Sequence, residues 1–422
     1  MATVNPPRGM RDFLPAEKRR REQVLAMIRD RYEAHGFDEI ETPVMEDYAR
    51  LHGGLGGDNE KLAFTVMKRA LTTEKLRSAA DPADLADLGL RFDLTVPLSR
   101  FYASHRGDLP GVFRAIQIAP VWRAERPQKG RYRQFVQCDI DIIGDATPRA
   151  EAELLAASLD AFSTLGLRDV TIRINDRRAL DAMLDVFGFP VTDRPGALIT
   201  IDKLDKIGPS GVAAELRERG SADEAVTALE EFLDGLAEPT EPYGAAQIRA
   251  LLPQGIPEDV VDHLVGIGEA VGGPAALRFD PFLVRGMGYY TGTIFEVEHP
   301  EVSYSLGGGG RYDGMIGRFL GQDVPAVGFS IGFERILDLV ELDPAVGSEA
   351  VVLVHDKDVP VAELLAHKEA LVASGARVRL EQRPRNLKGA LERAAADGYT
   401  VFATVARGQD ELELKPLAEP SE

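Results

Sequence analysis

The chain has 422 residues, 49 Lys and Arg against 68 Asp and Glu, a formal net charge of −19, and 44% hydrophobic and 28% charged residues. That length implies two or three domains with their own cores, and that charge argues against polyanion binding over the whole surface while leaving room for a local basic patch. A single cysteine, Cys138, excludes an intramolecular disulfide and a cysteine metal cluster; with no signal-like N-terminal segment and no bilayer-length apolar run, a cytoplasmic protein is expected.

In chain order, residues 16–35 place Leu25, Met27, Ile28 and Tyr32 at helical spacing and end at Gly36, predicting an amphipathic helix. Residues 37–44, FDEIETPV, alternate as a strand, with Pro43 near its end. The glycine-rich RLHGGLGGD, 50–58, lacks the Gly-Lys-Ser/Thr of a phosphate loop. Residues 90–100, LRFDLTVPLSR, read as a strand running into a helix with Pro97 in its first turn. On that reading Asp93 and Thr95 share a strand face able to hold an ammonium group; Thr95 is equally suited to cap the helix.

The richest stretch is 119–144, APVWRAERPQKGRYRQFVQCDIDIIG, predicted to form two strands joined by a short basic turn, Arg126-Pro127-Gln128-Lys129-Gly130. Strand alternation puts Arg131, Arg133, Phe135, Gln137, Asp139 and Asp141 on one face and Gln134, Val136, Cys138, Ile140 and Ile142 on the other. The second face suits a core and makes Cys138 a buried, inert thiol. The first is either a binding-site floor or a solvated edge. Between Arg100 and Arg133 the bases are Arg100, Arg106, Arg114, Arg123, Arg126, Lys129, Arg131 and Arg133 against the acids Asp108 and Glu125, a local partner for phosphates.

A helix follows over 149–166 and a strand over 169–175. Residues 176–277 are expected to be a helical insertion without clear chemistry, its IDKLDKIG at 201–208 a solvated turn. FDPFLVRGMGYYTGTIFEV (279–297), SLGGGGRYDGMIGRF (305–319) and VPAVGFSIGFERILDL (324–339) return to site-like composition. The four glycines before Arg311 are either a flexible turn or a place where backbone approaches a ligand without a Cβ. Residues 330–339 read as a strand turning into a helix that presents Arg335. A linker at 341–349 precedes alternating strands and helices over 350–422, a small α/β domain.

Taken together, these motifs resemble the class II aminoacyl-tRNA synthetases, and within them the histidyl-tRNA synthetase family. The hairpin is similar to the class's second motif and VGFSIGFERI to its third; RGMGYYTGTIFEV and GGGGRYDG look like the two stretches peculiar to the histidine enzymes. RFDLTVP, QCDIDIIG and the opening RGMRDFLP match as well, with Asp where many bacterial members carry Glu. The resemblance implies an α/β, α+β-type catalytic domain over 1–340, built on a mixed, mainly antiparallel sheet with flanking helices and the insertion at about 176–277. It also implies an anticodon-binding-like domain over 350–422.

The implied activity is ATP-dependent activation of histidine to histidyl-adenylate, with pyrophosphate leaving, then transfer to the 3′ end of tRNA(His). Arg123, Arg285 and Arg335 are the implied catalytic cations. Asp93, Thr95 and Gln137 would bind the ammonium; Asp141 and Tyr290 the two imidazole nitrogens; and Tyr289 and Tyr312 would line the pocket. Arg123, Glu125, Arg131, Phe135 and Arg335 would hold ATP, with Mg²⁺ on its phosphates and no protein ligand identified. A homodimer is implied, and no membrane partner.

Two departures stand out: Gly288 replaces the family's aspartate before the tyrosine pair, and the chain ends soon after LELKPL without the family's closing segment. The alternatives are a histidine-sensing regulatory subunit of histidine biosynthesis, which has no need of the ATP arginines or basic loop and usually lacks the C-terminal domain, and a histidine-activating paralogue with another acceptor.

Overall fold

A computed structural model describes residues 4–53, 61–128, 130–236, 242–271, 276–284, 288–342 and 349–417. The chain divides into two compact units, one of Met1–Arg11 with Val24–Val340 and one of Asp12–Gln23 with Glu341–Glu422.

The first unit is organised on an eight-stranded sheet. Its order is Asp38–Glu39, Phe113–Trp122, Gln134–Ile143, Ala326–Ile331, Val302–Arg311, Thr293–His299, Thr171–Asp176 and Leu277–Phe279. Only the outermost pairings, of Asp38–Glu39 with Phe113–Trp122 and of Thr171–Asp176 with Leu277–Phe279, are parallel; every inner pairing is antiparallel. The two long central strands follow from the period-2 pattern. Cys138, Ile140 and Ile142 are fully or almost fully buried on one face, and Gln137, Asp139 and Asp141 open into a cavity on the other.

Helices close the sheet. Pro148–Thr164 buries Leu154, Leu155, Ala161 and Phe162, and Thr95–His105 buries Val96, Leu98 and Tyr102. The helix Pro15–Ala34 ends as its sequence predicts: Gly36 takes φ +81°, where Phe37 N–H donates to Tyr32 O at 3.2 Å. Six helices from Arg177–Val186 to Glu258–Val271 occupy the insertion among the described residues. Leu184, Leu198, Val212, Leu216, Val226 and Leu229 form its core, which continues into Phe282, Leu283 and Ile294. The second unit carries a sheet ordered Arg377–Gln382, Ala350–His355, Val401–Val405 and Lys415–Pro416, the last pair antiparallel. Its two faces are covered by Val361–Ala373 and Leu387–Ala396.

Three local expectations are corrected. The strand expected over 37–44 is reduced to Asp38–Glu39, with Met45–Asp47 moving to a separate three-stranded sheet; Pro43 has no N–H, and the carbonyls of Thr42 and Pro43 accept from the Arg91 guanidinium rather than from a neighbouring strand. The hairpin turn is longer than five residues: pairing stops at Trp122 and resumes at Gln134, because Pro127 has no N–H and Arg133 N–H is taken by Gly9 O at 2.8 Å. Arg123, Glu125 and Arg131 therefore sit on a loop, not on strands. Asp93 and Thr95 do not share a strand face either. The strand ends at Leu90, Thr95 is the first residue of the helix, and Asp93 Oδ1 accepts from Val96 N–H at 3.1 Å, so Asp93 rather than Thr95 serves the helix start.

Candidate functional site

The cavity above the central strands has a volume of about 860 Å³. Asp93, Thr95, Arg123, Glu125, Arg131, Phe135, Gln137, Asp141, Tyr289, Tyr290, Tyr312 and Arg335 all line it. Arg285, the remaining site residue expected from the sequence, lies outside the described residues, as do Lys129, residues 54–58 of the glycine-rich stretch and 343–348 of the expected linker.

The floor is set by register. Asp141 lies between Ala115 and Gly328 on the neighbouring strands, and Asp139 between Gln117 and Ser330. The small neighbours of Asp141 leave space above it: a Cβ on Gly328 would collide with the Asp141 carboxylate. Of the two readings of the four glycines, the flexible turn is overturned, while all four line the cavity, as a backbone approach to a ligand requires. Gly307–Gly310 are buried in the strand Val302–Arg311, where a Cβ on Gly310 would stand 2.8 Å from the Tyr290 ring. The glycines let Tyr290 lie against the sheet.

Three tyrosines and three carboxyl groups define the deep end. Tyr289 contacts Tyr290 and Tyr312 edge-on, with centroids 4.9 and 6.2 Å apart. Tyr312 donates its hydroxyl to Asp141 Oδ1 at 2.6 Å. Burial pushes the Asp93 carboxyl up to about 6, against hydrogen bonds and Arg123 that pull it down. Burial likewise pushes Asp141 to about 7 despite the Tyr312 bond, and burial with the nearby Asp141 pushes Asp139 well above the usual carboxylate range. Asp93 Oδ2 and Gln137 Oε1 are buried acceptors without a hydrogen-bond partner. Leaving such an acceptor unmet costs about 1–3 kcal/mol.

The other end is cationic and aromatic. Arg123 is fixed by donating from Nε to Phe92 O at 2.9 Å, with its guanidinium 5.1 Å from the Phe135 ring centre. Arg335, on the short helix Phe333–Ile336, donates from Nη1 to Ser305 O at 2.7 Å. Glu125 accepts from Arg131 at 3.5 Å on the exposed loop. Arg11 and Glu334 form an ion pair, and Arg11 also lies 3.5 Å over the Tyr132 ring, which ties the N-terminal segment to this end.

Several cavity residues went unrecognised in the sequence. Asp139, which alternation places on the same face as Gln137 and Asp141 but to which the sequence assigns no role, is buried. Ile201, Asp202, Leu204, Asp205 and Lys206 of the insertion reach the cavity wall, so IDKLDKIG is not simply a solvated turn. Arg173, in the strand Thr171–Asp176, pairs there with Asp280 and with Asp205 of the insertion. Nothing local in the sequence announces these meetings.

A mainly antiparallel sheet carrying an arginine loop after one strand and a helix-borne arginine after another defines a class II aminoacyl-tRNA synthetase catalytic fold. The solved histidyl-tRNA synthetase of Nostoc sp. PCC 7120 superposes with a TM-score of 0.76 at 27% identity, covering 99% of this chain and 95% of that one. The family model described as histidyl-tRNA synthetase matches residues 9–336. A histidine–tRNA ligase of Leifsonia xyli subsp. xyli is 58% identical over 427 residues, covering 99% of both chains, and a probable histidine–tRNA ligase of Tropheryma whipplei is 41% identical over 428, covering 99% of this chain and 97% of that one. The chain belongs to the histidyl-tRNA synthetase family.

Proposed function

We propose that the cavity joins histidine to ATP and passes the histidyl group to tRNA(His), an ATP-dependent aminoacyl-tRNA ligation. The observation that carries this reading is the pair of unmet buried acceptors, Asp93 Oδ2 and Gln137 Oε1, in one cavity with Arg123. Unmet acceptors beside raised carboxyl groups are what an ammonium ligand would satisfy.

In this reading Asp93, Thr95 and Gln137 hold the α-ammonium. Asp141, braced by Tyr312, accepts from one imidazole N–H, Tyr290 serves the other ring nitrogen, and Tyr289 closes the pocket. The histidine carboxylate attacks the α-phosphorus of ATP, a P–O bond forms, and the bond to pyrophosphate breaks. Charge gathers on the phosphoryl oxygens, and fixed cations stabilise it without reorganisation. Arg123 is suited to this by its bond to Phe92 O. Arg131 reaches the outer phosphates; Arg335 clamps the γ-phosphate and stacks on adenine opposite Phe135; Glu125 accepts from the adenine amino group. Arg285 joins the catalytic set on its sequence motif alone.

Among the described residues no group of three or more His, Cys, Asp or Glu is placed to hold a metal ion. Mg²⁺ is expected on the phosphates of ATP, where it takes few protein ligands, and none is assigned. The proposal extends to the catalytic assignment of 1–340, with the insertion at about 176–277 and the linker at 341–349, and to anticodon binding by 350–422; the division at Val340 and Glu341 supports it. A cytoplasmic homodimer follows from the family resemblance. No described helix is long and apolar enough to cross a membrane.

Histidine-dependent ATP–pyrophosphate exchange, followed by charging of tRNA(His) transcripts, tests the reading. Absence of exchange in a folded sample overturns it, whereas exchange without charging points to a different acceptor. The regulatory-subunit alternative is not favoured, given full-length relatives named histidine–tRNA ligases.

A further inference from the structure

The side-chain amide of Gln137 is held asymmetrically. Its Nε2 lies 3.4 and 3.5 Å from the two oxygens of Asp139 and 3.3 Å from Ser330 Oγ, while its Oε1 is buried with no partner. An amide keeps its shape when rotated by a half-turn, so only its hydrogen bonds decide which end faces the cavity. Asp139 and Ser330 face each other across the antiparallel pair, and Gln117, on the other side of Asp139, donates its own amide to Leu94 O.

We infer that Asp139, assisted by Ser330, is a positioning residue: it holds Gln137 with Nε2 turned into the sheet and Oε1 turned to the substrate's ammonium group. This rests on the reading of Gln137 as an ammonium ligand. Burial near Asp93 and Asp141 drives Asp139 toward its protonated form. The arriving ammonium, with Arg123, favours the ionised form, in which a carboxylate only accepts and admits only the N–H end of the amide. Without Asp139 the remaining partner is a serine hydroxyl, which donates or accepts and so selects neither end. The carboxyl groups of Asp93 and Asp141 would then draw Nε2 into the cavity. Histidine would have to bind the minority of molecules with the amide correctly turned, and its apparent affinity falls by that fraction.

A double-mutant cycle on histidine-dependent exchange tests this, using Asp139→Ala, Ser330→Ala, Gln137→Ala and the two combinations with Gln137→Ala. Asp139→Ala is expected to raise KM for histidine about tenfold, the equivalent of ~1.4 kcal/mol, with kcat nearly unchanged. Ser330→Ala should raise it a few-fold, and neither should add to Gln137→Ala. An unchanged KM in Asp139→Ala, or an effect that persists in full on Gln137→Ala, overturns the inference, the latter by showing that Asp139 meets the substrate directly. If Gln137→Ala itself leaves KM for histidine unchanged, the ammonium assignment fails first and the inference falls with it. Should Asp139→Ala not fold, the Ser330→Ala pair decides by the same criterion.

Discussion

Tyr312, just past the end of the strand Val302–Arg311, and Asp141, in the strand Gln134–Ile143, meet in a 2.6 Å hydrogen bond with Asp141 more than nine-tenths buried. The bond spends one oxygen of Asp141 on the protein and leaves the other for a ligand. Tyr312→Phe removes a donor from a buried carboxyl, a loss of about 1–3 kcal/mol. The expected result is weaker histidine binding by roughly tenfold or more, with ATP affinity retained. Asp141→Asn should weaken histidine selectively as well. Titration calorimetry with each ligand checks both, and unaltered histidine affinity in Asp141→Asn would refute the imidazole assignment.

The raised carboxyl groups predict a pH dependence with a definite sign. Asp93 near 6 and Asp141 near 7 bind protons in the folded chain that they release in the unfolded chain. Their contribution to the stability of the ligand-free protein therefore falls as pH rises from about 4 to about 7 and is flat above. Subtracting the Asp141→Asn stability curve from that of the wild type, by denaturant titration across this range, should isolate a declining difference. A difference that rises with pH would contradict the buried assignment.

Ligand binding reverses that preference. An ammonium and an imidazole N–H favour the ionised carboxylates, so histidine binding near pH 6.5 should release protons from this pair. Calorimetry in two buffers of different ionisation enthalpy should give different apparent heats. Equal heats would count against the assignment of both acids.

The cationic end carries a kinetic prediction. Arg123→Ala should slow histidine-dependent exchange by roughly 10²–10³-fold, the scale of one lost oxyanion donor. Arg285→Ala is expected to abolish exchange while histidine still binds. Exchange at the wild-type rate in either variant would remove that arginine from the catalytic set.

Away from the ligands, a buried ion cluster links the insertion to the sheet. Arg311 donates to both oxygens of Glu151 at 2.7 Å, and Thr293 and His263 contact the same Oε1 at 3.2 Å. Burial alone would push Glu151 up, but the bonds from His263 and Arg311 outweigh it and hold it below the ordinary range. Breaking one side of a buried pair typically costs about 3–5 kcal/mol. Glu151→Ala should destabilise by that order in denaturant unfolding.

Much of this was legible in the chain itself. The alternation of residues 134–143 fixes which side chains share the cavity, and that inference survives in Gln137, Asp139 and Asp141. What escaped depends on long-range partners. Gly9 O intercepts Arg133 and lengthens the loop, and Glu334 accepts from Val136 N–H across 198 positions. Burial is likewise a tertiary property. Asp139 has the composition of a solvated strand position and becomes interior only because Ser330 and Gln117 flank it.

The wall beneath the deep end is largely main chain. Gly307, Gly309, Gly310 and Gly328 offer no rotamers, and a methyl group on any of them meets backbone, Tyr290 or Asp141 at under 3 Å. Such a wall has nothing left to trim. A pocket for a larger amino acid cannot be carved from it by truncation, and enlargement must come from the tyrosines or Asp141. Changing the substrate's size here means surrendering contacts that recognise its polarity, so the two kinds of selectivity can only be lost together.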